Sequence, residues 1–204
     1  MKTNTELEVK AIFKSFVQAI ENIKIDKHFS MVVNKIIEQK KTGGLIVTTA
    51  MGKAGIIMQK FSSTLRSLSF PSAYIHPGEA SHGDLGLLTK KDILFVASTS
   101  GKTREILEII DLARKIEIKS IIGLTSHPDS PVREKADYLS DMGIIKEAGK
   151  MGIAPTTSTL VMLAIVDALA ITAADKVGIT KKEYGKLHHS GYLGALVRND
   201  NKVY

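Results

Sequence analysis

Apolar residues at Val9, Ile12, Phe13, Phe16, Val17 and Ile20 recur every three or four positions, so the segment from Thr5 to Asn22 is predicted to be an amphipathic helix. Phe29, Val32, Val33, Ile36 and Ile37 repeat the pattern until Gly43-Gly44 ends it. The spacing then changes. Short runs that are apolar throughout appear at residues 45–49, 72–75, 93–97, 120–124 and 138–140. Such runs fit strands covered on both faces. Helical patterns at 54–68, 103–115 and 130–135 separate most of them. This alternation predicts an α/β fold: a three-layer α-β-α sandwich around a central parallel sheet of about five strands. The last third reads as helix, over 158–177 and then 180–187, with Thr180 and Glu183 forming a capping box.

Length sets the domain count. At 204 residues, with no repeat, linker or low-complexity tract, the chain is expected to form one domain over residues 1–204. Its N-terminal helices span 5–40, its core 44–178, and its last helix and tail 180–204. Hydrophobic residues make up 44% and charged residues 24%, ordinary for a globular protein. Trp is absent and aromatics are only 5%, which argues against stacking platforms for nucleic acid. The net charge of +7 suits an anionic partner, but the Lys and Arg residues are scattered. A small anion therefore fits better than a nucleic acid.

The chain has no cysteine, which excludes disulfides and thiolate metal sites and suits a reducing cytoplasm. The first residues lack the apolar core of a signal peptide. The longest apolar stretch, 160–174, is too short for a bilayer and contains Asp167, so no membrane segment is expected. It reads as a helix buried in protein or at a subunit interface.

Three polar segments follow predicted strands, and in an open parallel sheet ligands bind beyond the carboxyl ends of the strands. They are residues 50–55, 76–84 and 98–103. The third, Ser98-Thr99-Ser100-Gly101-Lys102-Thr103, is the most informative. It carries hydroxyls and a glycine at a strand-to-helix junction, where unpaired N–H groups and a partial positive charge favour phosphate. Ser and Thr also cap helices with no ligand present.

These segments resemble the SIS (sugar isomerase) domain family, of the arabinose-5-phosphate isomerase type. Ala50-Met51-Gly52-Lys53-Ala54-Gly55 is similar to the family's Gly-Met-Gly-Lys-Ser-Gly, and residues 76–86 match His-Pro-Gly-Glu-Ala-x-His-Gly-Asp-Leu-Gly throughout. Lys146-Glu147-Ala148 with residues 154–159 resembles Lys-Glu-Ala…Ala-Pro-Thr-Ser-Ser-Thr, and residues 188–194 resemble the closing His-Pro-Gly-Gly-Ala-Leu-Gly. Departures are Ala54 for Ser, Lys102 for Glu, Gly149 for Cys and His189 for Pro. The chain ends at Tyr204, so the paired CBS domains common in the family are not expected.

The resemblance implies a flavodoxin-like fold and interconversion of ribulose 5-phosphate and arabinose 5-phosphate through an enediolate, for Kdo, lipopolysaccharide or capsule synthesis. Another phosphosugar isomerase, or a non-catalytic sensor of a sugar phosphate or Kdo nucleotide, are the alternatives. No metal or other cofactor is required. Ser98, Ser100 and Thr103, with Thr99, are the expected phosphate ligands, and Gly52, His76 and Glu79 complete the binding set.

Glu147 is the expected base, with a pKa raised by partial burial; it could instead be a surface glutamate paired with Lys146 or Lys150. His188 is the expected group for ring opening and proton shuttling, with His189 beside it as the competing assignment. His82 either transfers protons or orders its loop. Lys53 reaches the phosphate or the enediolate, or stays solvated. Glu105 either favours the helix dipole or contacts sugar and Lys53. The family's habit of sharing sites between subunits implies a homotetramer.

Overall fold

A computed structural model describes residues 3–118, 120–189, 194 and 197. Five strands form one parallel sheet: β1 (Ile46–Ala50), β2 (Ser72–Tyr74), β3 (Ile93–Ala97), β4 (Ser120–Thr125) and β5 (Tyr138–Asp141), in the order β2-β1-β3-β4-β5. Every residue of β1 and β3 is buried, as their unbroken apolar character predicted. Ala50 pairs with Ala97, and Ala97 with Leu124. The ends of β1, β3 and β4 therefore lie in one row, and the loops after them open at the same level.

Helices cover both faces. On one side α2 (Lys27–Thr42), α3 (Gly52–Ser67) and α7 (Thr157–Val177) pack over β1, β3 and β4, with Phe61 meeting Phe95 edge to face at 5.2 Å. On the other, α5 (Arg104–Lys115) contributes Ile106, Ile109 and Ile110. Val132 of α6 (Pro131–Lys135) and Ala80 of α4 (Pro77–Ala80) join that second cluster. The three-layer α/β architecture follows the predicted pattern, and helix α8 (Lys181–Leu187) carries the expected capping box. Sequence reading missed α4 and the 3₁₀ turn Asp84–Leu87, each only four residues long, too short to show a period.

Helix α7 is longer than the apolar run that announced it. Its 21 residues suffice by length and composition to cross a membrane, but ten of them, at helical spacing from Thr157 to Ala174, are buried against the sheet and its neighbours. Asp167 on its flank is held by Lys60 of α3 at 2.5 Å. The apolar character of α7 is thus used inside the fold. Helix α1 (Asn4–Glu21) differs: it buries no residue completely, and Phe13 and Val17 remain 61% and 55% exposed. Leu7, Val9, Ile12 and Ile20 are exposed along the same helix.

Candidate active site

The chain leaves β1 towards β2 on one side, then crosses back to β3 and continues outward through β4 and β5. The loops after β1 and β3 diverge at this reversal, and a crevice opens between them. A cavity of about 840 Å³ occupies it, ample for a small sugar phosphate. Gly52 and Lys53 line it from β1, and Ser98, Thr99, Ser100 and Thr103 from β3. Ser126 and His127 contribute from β4, Ile144 and Ile145 from beyond β5, and Pro155, Ser158 and Thr159 from the approach to α7.

Three helices begin at this cavity, and none has a side-chain hydrogen bond from its own capping residue. They are α3 after Met51, α5 after Thr103 and α7 after Thr156. Helices α1, α2, α4 and α8 are capped by Thr3, Asp26, His76 and Thr180 respectively. The free donors and positive ends of α3 and α5 therefore face the same space, which makes it attractive to an anion, while donors at the start of α7 are taken by the Glu147 carboxylate.

The loop after β3 shows how the sequence achieves this. Ser98 Oγ lies 2.8 Å from Thr103 Oγ1 and 3.5 Å from Ser100 Oγ, and it accepts the Gly101 N–H at 3.0 Å. The Thr103 hydroxyl is thus turned into the loop rather than onto the helix. Gly101 has φ +63°, and a Cβ there would stand 2.3 Å from Ser130 Oγ. Only glycine fits both the left-handed backbone and the space. Gly55 is constrained from another direction: a Cβ would come within 2.7 Å of Ala50 O and 2.8 Å of the Tyr74 hydroxyl.

Glu147 is half-buried and does not itself line the cavity, but it bonds to Ser158, which does. Its Oε2 accepts the N–H groups of Thr156 at 2.9 Å and Ser158 at 3.3 Å, and the Thr156 hydroxyl at 3.4 Å. Burial raises its pKa, but hydrogen bonds from the Ser158 side chain and from the backbone of Thr156, Ser158 and Thr157 outweigh this and hold it below the ordinary value. The expectation of a raised pKa is therefore corrected. The carboxylate supplies from a distance the cap that α7 lacks, and its partners favour the charged form.

The remaining predicted residues lie elsewhere on the chain. His76, Glu79 and His82 are exposed beyond β2, at the sheet edge, and do not line the cavity. His76 caps α4 by accepting the Gly78 N–H on Nδ1 at 3.2 Å. Glu105 is half-buried in the first turn of α5, next to the cavity but outside its lining. His188 follows α8, beyond the far end of α7. It is not among the residues that line the cavity. Its ring stacks on Tyr184 with centroids 3.8 Å apart, and Nδ1 lies 2.9 Å from Tyr184 O. Since a carbonyl only accepts, Nδ1 carries the proton and Nε2 of the neutral ring is left as an acceptor. His189 is exposed beside it; residues 190–193 of the closing motif lie outside the described residues.

Sequence reasoning overlooked Ser126 and His127. They follow the apolar run of β4, so the rule that selected the other three strand ends could have found this loop as well.

Comparison with known proteins agrees with the geometry. A candidate phosphosugar isomerase involved in capsule formation from Bacteroides fragilis superposes with a TM-score of 0.89 at 37% identity, over 92% of this chain and 98% of that one. An Escherichia coli protein solved in complex with arabinose 5-phosphate gives a TM-score of 0.83 at 29% identity, over 92% of this chain and 100% of that one. An arabinose 5-phosphate isomerase of Pseudomonas aeruginosa is 39% identical over 151 residues, which is 74% of this chain and 46% of the relative. The chain spans about half the length of the curated relatives it matches. Residues 37–172 match the SIS domain, and with the switch-point cavity and its hydroxyl-rich loop in place, this chain belongs to the SIS domain family.

Proposed function

We propose that this protein is an aldose–ketose isomerase that interconverts ribulose 5-phosphate and arabinose 5-phosphate. One observation carries the reading: the hydroxyl-rich loop at the uncapped start of α5 lines the same cavity as Lys53 and Ser158, and Ser158 donates its N–H to the Glu147 carboxylate. The phosphate is held by Ser98, Thr99, Ser100 and Thr103, with Gly52 allowing close approach from β1. Glu147 takes a proton from C1 of the ketose, the Lys53 ammonium stabilises the enediolate that results, and a proton is then delivered to C2 to give the aldose. Glu105 sits beside the phosphate end and orients Lys53. The reaction needs no metal or redox cofactor, since the proton returns to the neighbouring carbon.

Ring opening of the aldose calls for a general acid–base group, a role that suits an imidazole. His188 does not line the cavity of its own chain, so we assign this role to His188 of a neighbouring copy, with His189 beside it as a less favoured choice. His82, and with it the His76 and Glu79 loop, serves a shared site in the same way. The exposed apolar stripe of α1 supplies surface for such an assembly, which we take to be a homotetramer of single-domain subunits. Neither nucleic acid nor a membrane is a partner in this reading, and the product feeds Kdo synthesis for lipopolysaccharide or capsule in the cytoplasm. Relatives named as arabinose 5-phosphate isomerases, and a similar structure named for capsule formation, support the substrate and pathway of this reading.

A second reading, a sugar-phosphate sensor without turnover, is favoured by one observation: Glu147 is engaged as a helix cap and is a weaker base for it. Incubation with ribulose 5-phosphate in D₂O, followed by NMR, separates the two. Arabinose 5-phosphate carrying deuterium at C2 is the expected product; binding without exchange would establish the sensor.

A further inference from the structure

His127 has no part in the reading above, yet among the described residues it is the one imidazole that lines the cavity. Its backbone is fixed on both sides. The Ser126 N–H donates to Thr99 O at 3.0 Å, and the Thr125 hydroxyl reaches the same carbonyl at 3.3 Å, so the loop after β4 is tied to the loop after β3. Arg133 Nε donates to His127 O at 2.6 Å, while the same guanidinium pairs with Asp141 at 2.7 Å. Pro128 restricts the chain immediately after the ring.

The ring itself is also set. The Asp129 N–H lies 3.2 Å from His127 Nδ1. A backbone N–H only donates, so Nδ1 accepts and the proton of the neutral ring belongs to Nε2. This is the reverse of His188. His76 has its tautomer set in the same way, so what separates His127 is its place in the cavity lining and the tie of its loop to Thr99.

We infer that His127 is a phosphate ligand, its Nε2–H donating to an oxygen of the phosphate held by residues 98–103. The loop that carries it is bonded to Thr99, within the hydroxyl-rich segment, whereas Lys53 approaches from β1 and Glu147 belongs to the segment between β5 and α7. A donor placed there completes a ring of hydroxyl, amide and imidazole donors around one anion, and a charged acceptor strengthens each such bond. The inference rests on the phosphosugar reading for the molecule that bears the phosphate, though not on any catalytic step.

Inorganic phosphate is the probe. Isothermal titration of the full chain should show His127→Ala weakening phosphate about tenfold, the usual size of one hydrogen bond to a charged group. His127→Gln, which restores an N–H donor, should recover most of that loss, with melting temperature unchanged in both because the side chain is exposed. Long-range ¹H–¹⁵N spectra should show the Nε2-protonated ring in the free protein and a shift of that resonance when phosphate is added. Unchanged affinity in His127→Ala, an unmoved ring resonance, or a wild-type protein that binds no inorganic phosphate would each overturn the proposal. So would slower turnover at undiminished phosphate affinity, which would make His127 a proton-transfer group at the sugar end. If phosphate binding responds as expected but ribulose 5-phosphate is never isomerised, the isomerase reading fails and the assignment of His127 stands.

Discussion

Glu147 accepts the Thr156 N–H at 2.9 Å, so the candidate base of the reaction is also the cap of the helix that walls the cavity. The two roles oppose each other, because every donor that stabilises the carboxylate lowers its appetite for a proton. Substrate binding that competes for the Thr156 and Ser158 donors would release the carboxylate as a stronger base. Glu147→Gln retains an acceptor for these groups but removes the base. Isomerisation in this variant is expected to fall on the order of 10²–10⁴-fold, while phosphate affinity by titration is retained. An active variant would exclude Glu147 as the base.

The same bond has a consequence for stability. The folded pKa of Glu147 lies below its ordinary value, so its contribution is fully present above the unfolded glutamate pKa and is lost as pH falls through the lower folded one. The unfolding free energies of wild type and Glu147→Ala from urea melts should differ by about 1 kcal/mol at neutral pH, as for loss of a helix cap. That gap should close below about pH 4, where the carboxyl of the unfolded chain is already protonated. A gap that widened in acid would contradict the hydrogen-bond geometry.

Gly101 is the tightest point of the phosphate loop. Gly101→Ala combines a left-handed backbone with a Cβ 2.3 Å from Ser130 Oγ and 2.4 Å from Ser130 Cβ. The variant should lose about 2 kcal/mol or more of stability in denaturant melts, with phosphate binding weakened in parallel. Adding Ser130→Gly removes the contacts with Ser130 but leaves Thr125 Oγ1 2.8 Å from the new Cβ and the strained φ, so only part of the loss should return. Full recovery would show that backbone conformation at this position is of no consequence.

Lys53 is exposed and lines the cavity from the side opposite the phosphate loop. Lys53→Met should leave the melting behaviour within about 0.5 kcal/mol of wild type, as for other surface changes. Its kcat/KM for ribulose 5-phosphate should drop on the order of 100-fold if the ammonium meets the enediolate. A rise in KM alone, with kcat preserved, would reassign Lys53 to ground-state binding.

Shared sites have a distinctive signature. Light scattering coupled to size exclusion should report an oligomer, and Phe13→Asp on the exposed stripe of α1 should dissociate it. Mixing inactive Glu147→Gln with inactive His188→Ala should restore part of the activity, because some mixed sites then hold both intact groups. If the mixture stays inactive while subunits demonstrably exchange, Glu147 and His188 serve the same chain.

Most of the secondary structure was legible along the chain because its causes are local. Unbroken apolar runs marked β1 and β3, helical spacing marked α2 and α5, and Thr180 with Glu183 announced α8. The loop at 98–103 was readable for the same reason: hydroxyls and a glycine between a strand and a helix carry their meaning within a few residues. Strand order carries no such local mark. Only the assembled sheet put β3 next to β1, drew His127 in beside Thr99, and left His76, Glu79 and His82 at the edge beyond β2. The charge state of Glu147 was likewise out of reach, since burial and the donors at the start of α7 act on it in opposite directions. Their balance depends on distances between segments, which periodicity does not encode.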